Sequence, residues 1–415
     1  MTPIIQTYIL KVASRCNLNC SYCYMYNMGD TTYVKQPKFM SIDTYKAFVD
    51  KLSNHCKRNK LPYIYIAFHG GEPLLASKAF YKAAISYTKD VIRETEVIFT
   101  LQSNGTLVDD AWCQFLKDLD IQIGISIDGP EQYHNAYRLY HNNKESFTEV
   151  VNGIKIRDKY WQGGIIIVAN RNIPPFELYS FLKEIDTPSV NILLPDLNYA
   201  NYHKFYNKHD GKLSYGDWLI ELYKLWKADL TKPKISMFRN IIDMILGVVK
   251  GDEMIGRVKS GAVCIESDGA IEIVDPLRIC GNGFTRNSLN VYSNEIEDIS
   301  TEQVFNLYYH GHDLLCKKCL NCQIVNVCGG GYFGNRFSTD NGFDNPSIYC
   351  DDLRKIITHI QNDICDSLPD KLAEELALEK FTYEDVNAID GNREPIADKY
   401  SNLLQNYSQN LAITL

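Results

Sequence analysis

The chain has 415 residues, 45% of them hydrophobic, which is enough for a large α/β domain plus a smaller one and excludes wholesale disorder. Its formal net charge of −8 argues against a protein that binds nucleic acid through a general basic field. This charge still allows a peptide partner, which can bind through local patches or by adding a strand to a sheet edge.

The N-terminal end predicts a strand and no secretion signal, because residues 1–11 lack the basic segment that opens a signal peptide. No apolar run approaches the length of a membrane span. The chain has 13 cysteines, and without an export signal these favour metal ligation in a reducing cytoplasm over disulfides. Cys56, Cys113 and Cys365 are isolated on predicted helices, and we interpret them as small buried apolar residues.

Short β-branched runs alternate with amphipathic stretches through the first half of the chain. The predicted strands are 4–13, 63–69, 97–103, 121–127, 164–169 and 190–194. The predicted helices between them are 42–58, 75–92, 110–119, 145–160 and 175–185. This alternation predicts parallel β–α units with right-handed crossovers. Periodicity alone leaves an open doubly wound sheet and a barrel as alternatives.

The second half of the chain has a different composition and different predicted elements. Two predicted helices, 215–230 and 235–250, lead to short Gly- and Cys-rich segments that continue to residue 349. The last stretch is rich in Glu and Asn and predicts helices at 370–379 and 397–406. We expect a solvated helical tail here, with substrate docking as the weaker alternative.

The most specific motif is a run of cysteines with the spacing C-x3-C-x2-C: Cys16, Cys20 and Cys23. Three thiolates leave one iron of a four-iron cubane open, whereas clusters that only carry electrons normally take four cysteines. The motif therefore predicts a cluster that binds a small molecule, with the ring of Tyr22 packed beside the bound cofactor. A zinc site is disfavoured, because zinc usually takes four ligands and no further His or Cys precedes His55.

With these residues the chain resembles the radical S-adenosylmethionine (SAM) enzymes. The resemblance implies that the open iron chelates the amino and carboxylate groups of SAM. It also implies that an electron from the cluster releases a 5′-deoxyadenosyl radical. The implied fold is an α/β, partial (β/α)6 TIM-type barrel whose first β–α loop carries the cysteines, with reactive groups at the C-terminal ends of the strands.

The turn after the second predicted strand, Gly70-Gly71-Glu72-Pro73, matches the GGEP motif of this family. Glycines at a strand end let the backbone approach a ligand closely. The resemblance implies that this turn contacts the amino group of the methionine part of SAM, and that Glu72 helps to fix it.

Small polar side chains follow other strand ends in the same way. The candidates for ribose and carboxylate recognition are Ser103, Asn104, Ser126, Asp128 and Asn170. Arg138 ends a stretch that resembles related peptide maturases, and we expect it to pair with the SAM carboxylate in a bidentate manner. The alternative for the strand-end residues is the capping of turns and helices.

Seven further cysteines fall late in the chain: Cys264, Cys280, Cys316, Cys319, Cys322, Cys328 and Cys350. Together with the Gly329-Gly330-Gly331 turn they resemble the SPASM extension of radical SAM peptide maturases. That extension implies auxiliary iron–sulfur clusters. Backbone amides at the glycines would tune the reduction potential of such a cluster. The chain departs from the SPASM pattern at Tyr332, where another cysteine is expected.

Seven thiolates cannot complete two cubanes, which together need eight. We expect one complete site formed by Cys319, Cys322, Cys328 and Cys350. The remaining three, Cys264, Cys280 and Cys316, then form a second site with an open or non-cysteine position, for which Asp275 is a candidate oxygen ligand or else the cap of a hairpin turn. The alternatives are a single auxiliary cluster with the other cysteines structural, and a zinc ribbon.

The resemblance divides the chain into four predicted domains. These are a radical SAM partial barrel (1–214), a helical bridge (215–262), a SPASM-like auxiliary domain (263–365) and a helical C-terminal tail (366–415).

An auxiliary cluster near the substrate implies a net oxidation of a peptide, because it gives the second electron a place to go. Cys316, the glycine turn and the run 342–347 resemble the maturases that form cyclophanes. Those enzymes join an aromatic ring carbon to the β-carbon of a residue two positions later in a ribosomal precursor peptide. The candidates for the general base are Asp268 and Asp275, without rank.

Three other functions stay open. The main alternative within this class is an anaerobic sulfatase maturase, which oxidises serine or cysteine to formylglycine. Against it, the chain departs from the full auxiliary cysteine set, and Gly281 and not an acid follows Cys280. A thioether-forming maturase is another alternative. A non-catalytic iron–sulfur or zinc protein that binds a peptide would not need the Gly-Gly-Glu-Pro turn. The expected partners are a precursor peptide with leader and core, and an electron donor such as flavodoxin or ferredoxin, with no nucleic acid or membrane.

Overall fold

The computed structural model of the chain describes residues 3–206, 210–376, 378–383 and 386. Its contacts group the chain into two compact units. The first unit consists of Met1–Ile167, Thr187–Ser189 and Gly261–Asn306, and the second of Val168–Asp186, Val190–Ser260 and Leu307–Leu415. These units cut across the four-part domain division, which stays a prediction.

The strands of the described residues are β1 Thr7–Ala13, β2 Tyr63–Gly70, β3 Glu96–Ser103, β4 Ile121–Ser126, β5 Ile165–Val168, β6 Ser189–Leu193, β7 Lys234–Ile235, β8 Ala262–Ile265 and β9 Ile271–Glu272. The helices are α1 Ile42–Asn59, α2 Lys78–Val91, α3 Asp110–Asp118, α4 Glu131–His134, α5 Phe147–Arg157, α6 Pro175–Ile185, α7 Tyr202–Phe205, α8 Tyr215–Ala228, α9 Ser236–Ile245, α10 Gln303–Tyr309, α11 Lys317–Leu320, α12 Val325–Cys328, α13 Cys350–Ser367 and α14 Asp370–Glu375. Short 3-10 turns lie at Thr32–Lys35, Pro73–Leu75, Asp275–Cys280, Ile296–Thr301 and Phe333–Arg336.

The first unit is built on a parallel sheet in the order β5-β4-β3-β2-β1-β8, with β9 added antiparallel to β8. In β1 the side chains of Tyr8, Leu10 and Val12 are fully buried. The antiparallel edge comes from a tight turn between β8 and β9, which needs no crossover helix. The predicted parallel β–α units are therefore confirmed.

Parallel pairing places chemically important residues side by side at the ends of the strands. In the ladder between β1 and β2, Lys11 stands opposite His69, and Ala13 stands opposite Gly70 after a shift of one residue. The carboxyl ends of these strands therefore bring the start of the cysteine loop next to the Gly-Gly turn.

The second unit is centred on the packing of α8 against α13. The two helices approach closely at Gly216, where a Cβ atom would lie 2.8 Å from the Cα of Asp352. The Gly216 N–H donates to a carboxylate oxygen of Asp352 at 2.8 Å. The Tyr223 hydroxyl donates to Asp363 at 2.7 Å further along the same pair of helices. A larger residue at Gly216 would force α8 and α13 apart.

Most predicted elements exist within three residues of their expected ends, and α6 matches its prediction fully. The helix predicted at 235–250 ends at Ile245, shortly before Gly247, which has a φ of 72°. The helix that begins at Cys350 was predicted only around Cys365, near its end, and without bounds. The predicted helix 397–406 lies outside the described residues. Within the described part of the chain, no helix is long and apolar enough to cross a membrane.

Candidate active site

The loop after β1 carries Cys16, Cys20 and Cys23 as free, partly exposed thiols. Two backbone hydrogen bonds hold this loop in place: the N–H of Asn19 donates to the Leu139 carbonyl at 2.7 Å, and the N–H of Ser21 donates to the Tyr137 carbonyl at 3.0 Å. The loop is therefore bound to the segment that carries Arg138.

Two N–H donors point at the sulfur of Cys16. The backbone N–H of Leu18 lies 3.4 Å from this sulfur, and the side-chain amide of Asn104 lies 3.6 Å from it. Asn104 also donates to Asn17 at 2.8 Å, so its amide is fixed in this orientation. Donors of this kind suit a cysteine that ligates a cluster, because they stabilise the thiolate.

Burial raises the pKa of Cys16 to about 12 and that of Cys23 to about 11. Metal ligation has to displace these protons, so metal binding to the loop releases protons. No three His, Cys, Asp or Glu side chains of the described residues converge as the ligands of a single ion would. A cubane does not need such convergence, since each cysteine binds a different iron. The free thiols of the loop and the donors at Cys16 fit a three-cysteine cluster.

The Gly70-Gly71 turn lies directly against this loop. Gly70 has a φ of 140°, and a Cβ atom there would lie 2.1 Å from the Ala13 carbonyl oxygen. A Cβ atom on Gly71 would lie 2.2 Å from the Tyr26 hydroxyl and 2.4 Å from the Arg15 backbone. Only glycine fits at both positions, which explains the motif by close backbone approach.

Glu72 is fully buried and connects the ends of β2 and β3. Its carboxylate accepts hydrogen bonds from the Leu74 N–H at 3.0 Å, the Ser103 hydroxyl at 3.0 Å and the Asn104 N–H at 2.7 Å. Burial raises the pKa of Glu72 to about 7 against the lowering effect of these donors. The role of Glu72 in fixing SAM stays a prediction, and its observed bonds hold Ser103 and Asn104 in position.

A second polar cluster joins Tyr22, Asp128 and Arg138. The Tyr22 hydroxyl donates to Asp128 and accepts a hydrogen bond from Arg138 at 2.9 Å. Arg138 lies 3.8 Å from the Asp128 carboxylate, and its Nε is buried without a hydrogen-bond partner among the described residues. The guanidinium therefore keeps a free donor, as the proposed contact with a SAM carboxylate requires. The packing of the Tyr22 ring beside a cofactor stays a prediction.

Two of the predicted SAM residues form hydrogen bonds with residues outside the cysteine loop. Ser126 accepts a hydrogen bond from Gln102 at 2.9 Å. Asn170 belongs to the second unit, where its side-chain oxygen accepts the N–H of Asn172 at 3.0 Å. Both remain predictions.

The two candidate bases have different surroundings. Asp275 is buried, forms an ion pair with the fully buried Lys11 and accepts a hydrogen bond from Tyr24 at 2.7 Å. Burial favours the neutral form, but Lys11 and His69 hold the pKa of Asp275 below its ordinary value. Asp268 accepts the Ala270 N–H at 3.0 Å, as a turn cap does. Neither carboxylate is free of structural partners, so the general base stays unassigned.

Cys319, Cys322, Cys328 and Cys350 line one cavity of about 320 Å³ in the second unit. Cationic side chains from Lys317, Lys318 and Arg354 line the same cavity. The four thiols were predicted to form one complete site, and the cavity brings them together. Four thiolates around a cluster carry net negative charge, which the neighbouring cations would offset.

The glycine turn after Cys328 wraps around the buried guanidinium of Arg336. All three glycines have positive φ, between 58° and 79°. Their carbonyls accept hydrogen bonds from Arg336 at 2.8 to 3.0 Å. Burial raises the pKa of Cys328 to about 12, although a hydrogen bond from the Gly330 N–H opposes this. The amide therefore points at the sulfur, as expected for a cluster ligand.

The remaining three cysteines fall into different units. Cys264 and Cys280 are buried in the first unit, and Cys316 lies in the second. The sulfur of Cys316 is 3.6 Å from that of Cys319, and the two thiols form a hydrogen bond. The grouping of Cys264, Cys280 and Cys316 into one site stays a prediction.

Sequence reasoning missed several residues that build these sites. Arg336, Arg278 and Lys11 are each fully buried, and each holds several polar partners. Nothing in the local sequence marks a lone basic residue as buried. A signal was available only for His69, which directly precedes the Gly-Gly turn and accepts a hydrogen bond from Lys11 at 2.8 Å.

The chain is similar to several known proteins. Residues 10–183 match the model of the Radical SAM superfamily. The chain is 27% identical over 374 residues to the serine-type anaerobic sulfatase-maturating enzyme of Bacteroides thetaiotaomicron, covering 85% of this chain and 88% of the relative. It is 27% identical over 361 residues to the cysteine-type enzyme of Clostridium novyi, covering 83% of this chain and 92% of the relative.

Two solved structures are similar in fold. One is anSMEcpe with bound AdoMet and the Kp18Cys peptide, with a TM-score of 0.73 and 21% identity over 87% of this chain and 98% of that chain. The other is Streptococcus suis SuiB bound to the precursor peptide SuiA, with a TM-score of 0.55 and 14% identity over 84% of this chain and 76% of that chain. These likenesses support the predicted partial-barrel fold. The family match, together with a three-thiol loop packed on a Gly-Gly turn, identifies residues 10–183 of this chain as a radical SAM domain.

Proposed function

We propose that this chain is a radical SAM peptide maturase that oxidises a ribosomally made precursor peptide by two electrons. The observation that carries the proposal is the pair of separate cysteine sites. The first unit has a loop of three thiols beside the Gly-Gly turn, and the second unit has a cavity lined by four thiols. Three thiols suit a cluster with an open iron, and four suit a complete cluster.

SAM and the loop cluster would supply a radical for hydrogen abstraction, and a cluster in the second unit would take up the second electron. The residues that would hold the first cluster are Cys16, Cys20 and Cys23. Arg138 has a free Nε for a carboxylate, and the Gly70-Gly71 turn offers backbone to a ligand that comes close.

Cys319, Cys322, Cys328 and Cys350 would hold the auxiliary cluster. Its neighbours are the cationic side chains of the cavity and the amide of Gly330. This assignment uses no cysteine of the first unit.

A peptide substrate is supported by the named relatives. The two similar solved structures have bound peptides, Kp18Cys in one and the precursor SuiA in the other. The curated relatives of similar length are sulfatase-maturating enzymes. We further propose that a flavodoxin or ferredoxin delivers the electron and that the reaction takes place in the cytoplasm.

The product has two candidates, each with its own support. Oxidation of a serine or cysteine to formylglycine is favoured by the similarity to sulfatase-maturating enzymes over more than four-fifths of this chain. A cyclophane crosslink between an aromatic ring carbon and a β-carbon is favoured by three departures of this chain from the pattern expected of a sulfatase maturase. These are Gly281 after Cys280, Tyr332 in place of a cysteine, and the extra Cys316 beside Cys319.

The test is tandem mass spectrometry of a short peptide encoded next to this protein and coexpressed with it under low oxygen. Loss of two hydrogens, with no fragmentation between an aromatic residue and its second neighbour, would establish the crosslink. The same loss with full fragmentation and a hydrazine-reactive serine position would establish formylglycine.

A second assay separates an enzyme from a binding protein. With SAM and dithionite under anaerobic conditions, we expect the protein to release 5′-deoxyadenosine. A protein that only binds peptides would release none, and that result would reject the proposal.

A further inference from the structure

The surroundings of Cys264 in the first unit differ from those of a cluster ligand. This cysteine is fully buried on β8, and its sulfur is a donor to the carboxylate of Glu266 at 3.5 Å. A cysteine that ligates iron is a thiolate and an acceptor, so its hydrogen-bond partners should be N–H groups. The partner here is itself an acceptor, which indicates a neutral thiol.

A buried ion network lies in the same region. Arg278 is 1% exposed and contacts three carboxylates: Asp30 at 3.1 Å, Glu266 at 2.6 Å and Glu272 at 3.3 Å. Each of these carboxylates is also almost fully buried. Arg286 adds a second cation at 2.8 Å from Glu272. Three carboxylates and two guanidinium groups leave no excess of positive charge, and a buried charge is tolerated only when paired.

A cluster at this place would make the charge balance worse. A four-thiolate cubane carries a net charge of about −2 in its oxidised form, and this buried region has no excess of positive charge to offset it. The network also joins two segments of the first unit without any metal. Arg278 connects Asp30, seven residues after Cys23, to Glu266 and Glu272 on the hairpin that holds Cys264.

The number of ligands leads to the same result. Outside the cysteine loop, the first unit has two cysteines near this hairpin, Cys264 and Cys280, and two on helices, Cys56 in α1 and Cys113 in α3. A complete cluster needs four protein ligands. The third cysteine of the predicted second site, Cys316, lies beside Cys319 in the other unit.

We infer that the ion network of Arg278 takes the place of a second auxiliary cluster, and that Cys264 and Cys280 bind no iron. The inference rests on the proposed function only for the auxiliary cluster of the second unit. The protein then holds two clusters, one at the loop of Cys16 and one in the cavity of Cys319. Arg278 is then a structural link, formed by ion pairs, between the segment that follows the cysteine loop and the hairpin that holds Cys264.

The test is the iron and sulfide content of the protein after anaerobic reconstitution and desalting. We expect about 8 iron per wild-type chain, from two cubanes. The double variant C264S/C280S should keep this content. The matched double variant C319S/C322S, in the cavity of the second unit, should fall to about 4 iron.

A wild-type content of about 12 iron would overturn the inference, as would a loss of about 4 iron in C264S/C280S. Because the wild-type count needs no substitution, the inference stays testable if the buried C264S variant fails to fold. A wild-type content of about 4 iron, unchanged in C319S/C322S, would reject the auxiliary cluster of the proposed function and leave the inference about Cys264 and Cys280 standing. Mössbauer spectra of the two double variants, which should differ by one cluster component, provide a readout that does not depend on activity.

Discussion

The cysteine loop of the first unit and the cysteine cavity of the second are built in opposite ways. The loop places three thiols within eight consecutive residues, and its support comes from elsewhere in the chain, through Asn104 and the segment around Arg138. The four thiols of the cavity lie on α11, on the turn after α11, on α12 and on α13. The glycine turn around Arg336 stabilises this cavity from nearby in the sequence.

The difference has a chemical consequence. A short loop with three thiols cannot enclose a cluster, so one iron stays open to a small molecule. Four thiols from several helical segments can enclose a cluster completely, and they leave no iron for a substrate. The first arrangement suits the binding of SAM, and the second suits the transfer of electrons. The following predictions separate these two roles.

The largest effect is expected for C20A. Loss of one of three ligands should abolish cluster binding at the loop, so release of 5′-deoxyadenosine with SAM and dithionite should fall to background. About 4 iron should remain, in the cavity of the second unit. The matched control is C113A on α3, which should retain both iron and cleavage. SAM cleavage by C20A at the wild-type rate would reject the assignment of the loop.

For C322A we expect the opposite pattern. The variant should still release 5′-deoxyadenosine, because the loop is intact, but it should form no oxidised peptide. Liquid chromatography with mass spectrometry measures both products in one reaction. The control is C365A on α13 in the same unit, which should behave as wild type. Normal peptide oxidation by C322A would show that the cavity has no part in electron transfer.

The turn around Arg336 should be essential for the stability of the second site. In R336M the buried carbonyls of three glycines lose their donor, and each unsatisfied group costs about 1–3 kcal/mol, so we expect a loss of at least about 3 kcal/mol. Thermal unfolding of the metal-free protein measures this. The exposed R239M serves as the control, and equal melting temperatures for the two variants would contradict the role of Arg336.

Glu72 should make the stability of the first unit depend on pH. Its pKa is raised to about 7 in the folded protein, against an ordinary value of 4.5. The stabilisation is therefore present below pH 4.5 and is lost as the pH rises through 7, with a total change of about 3 kcal/mol. Urea unfolding of metal-free E72Q should lack this slope. The exposed E94Q should keep it, and parallel curves for wild type and E72Q would contradict the prediction.

The smallest effect is expected for Y22F. Without the hydroxyl, Arg138 and Asp128 lose the group that bridges them, and the guanidinium becomes less well oriented for a carboxylate. One hydrogen bond to a charged group is worth about 1.5–3 kcal/mol, so the affinity for SAM should fall by about 10-fold to about 150-fold. Equilibrium binding of SAM to the reconstituted protein measures this effect. Y87F, which removes an exposed tyrosine–aspartate hydrogen bond, should bind as wild type.

The elements of the first half of the chain could be predicted closely because each depends on local patterns. The strand β2 alternates buried and exposed residues, and α1 begins with the cap residue Ser41, whose hydroxyl accepts the Thr44 N–H at 3.0 Å. The start of α13 was missed because it lies inside the Gly- and Cys-rich segment, at Cys350. Its stability comes from packing on α8 rather than from a start signal in the sequence.

The sequence by itself determined the chemistry of the loop, because the spacing of Cys16, Cys20 and Cys23 and the Gly70-Gly71 turn are local features. Tertiary structure alone decided which distant cysteines share a cavity, and which carboxylates are held in buried ion pairs. Asp275 could be proposed as a base from sequence, but its ion pair with Lys11 joins residues 264 positions apart. Burial of a charge depends on the whole surrounding fold, so no local pattern can reveal it.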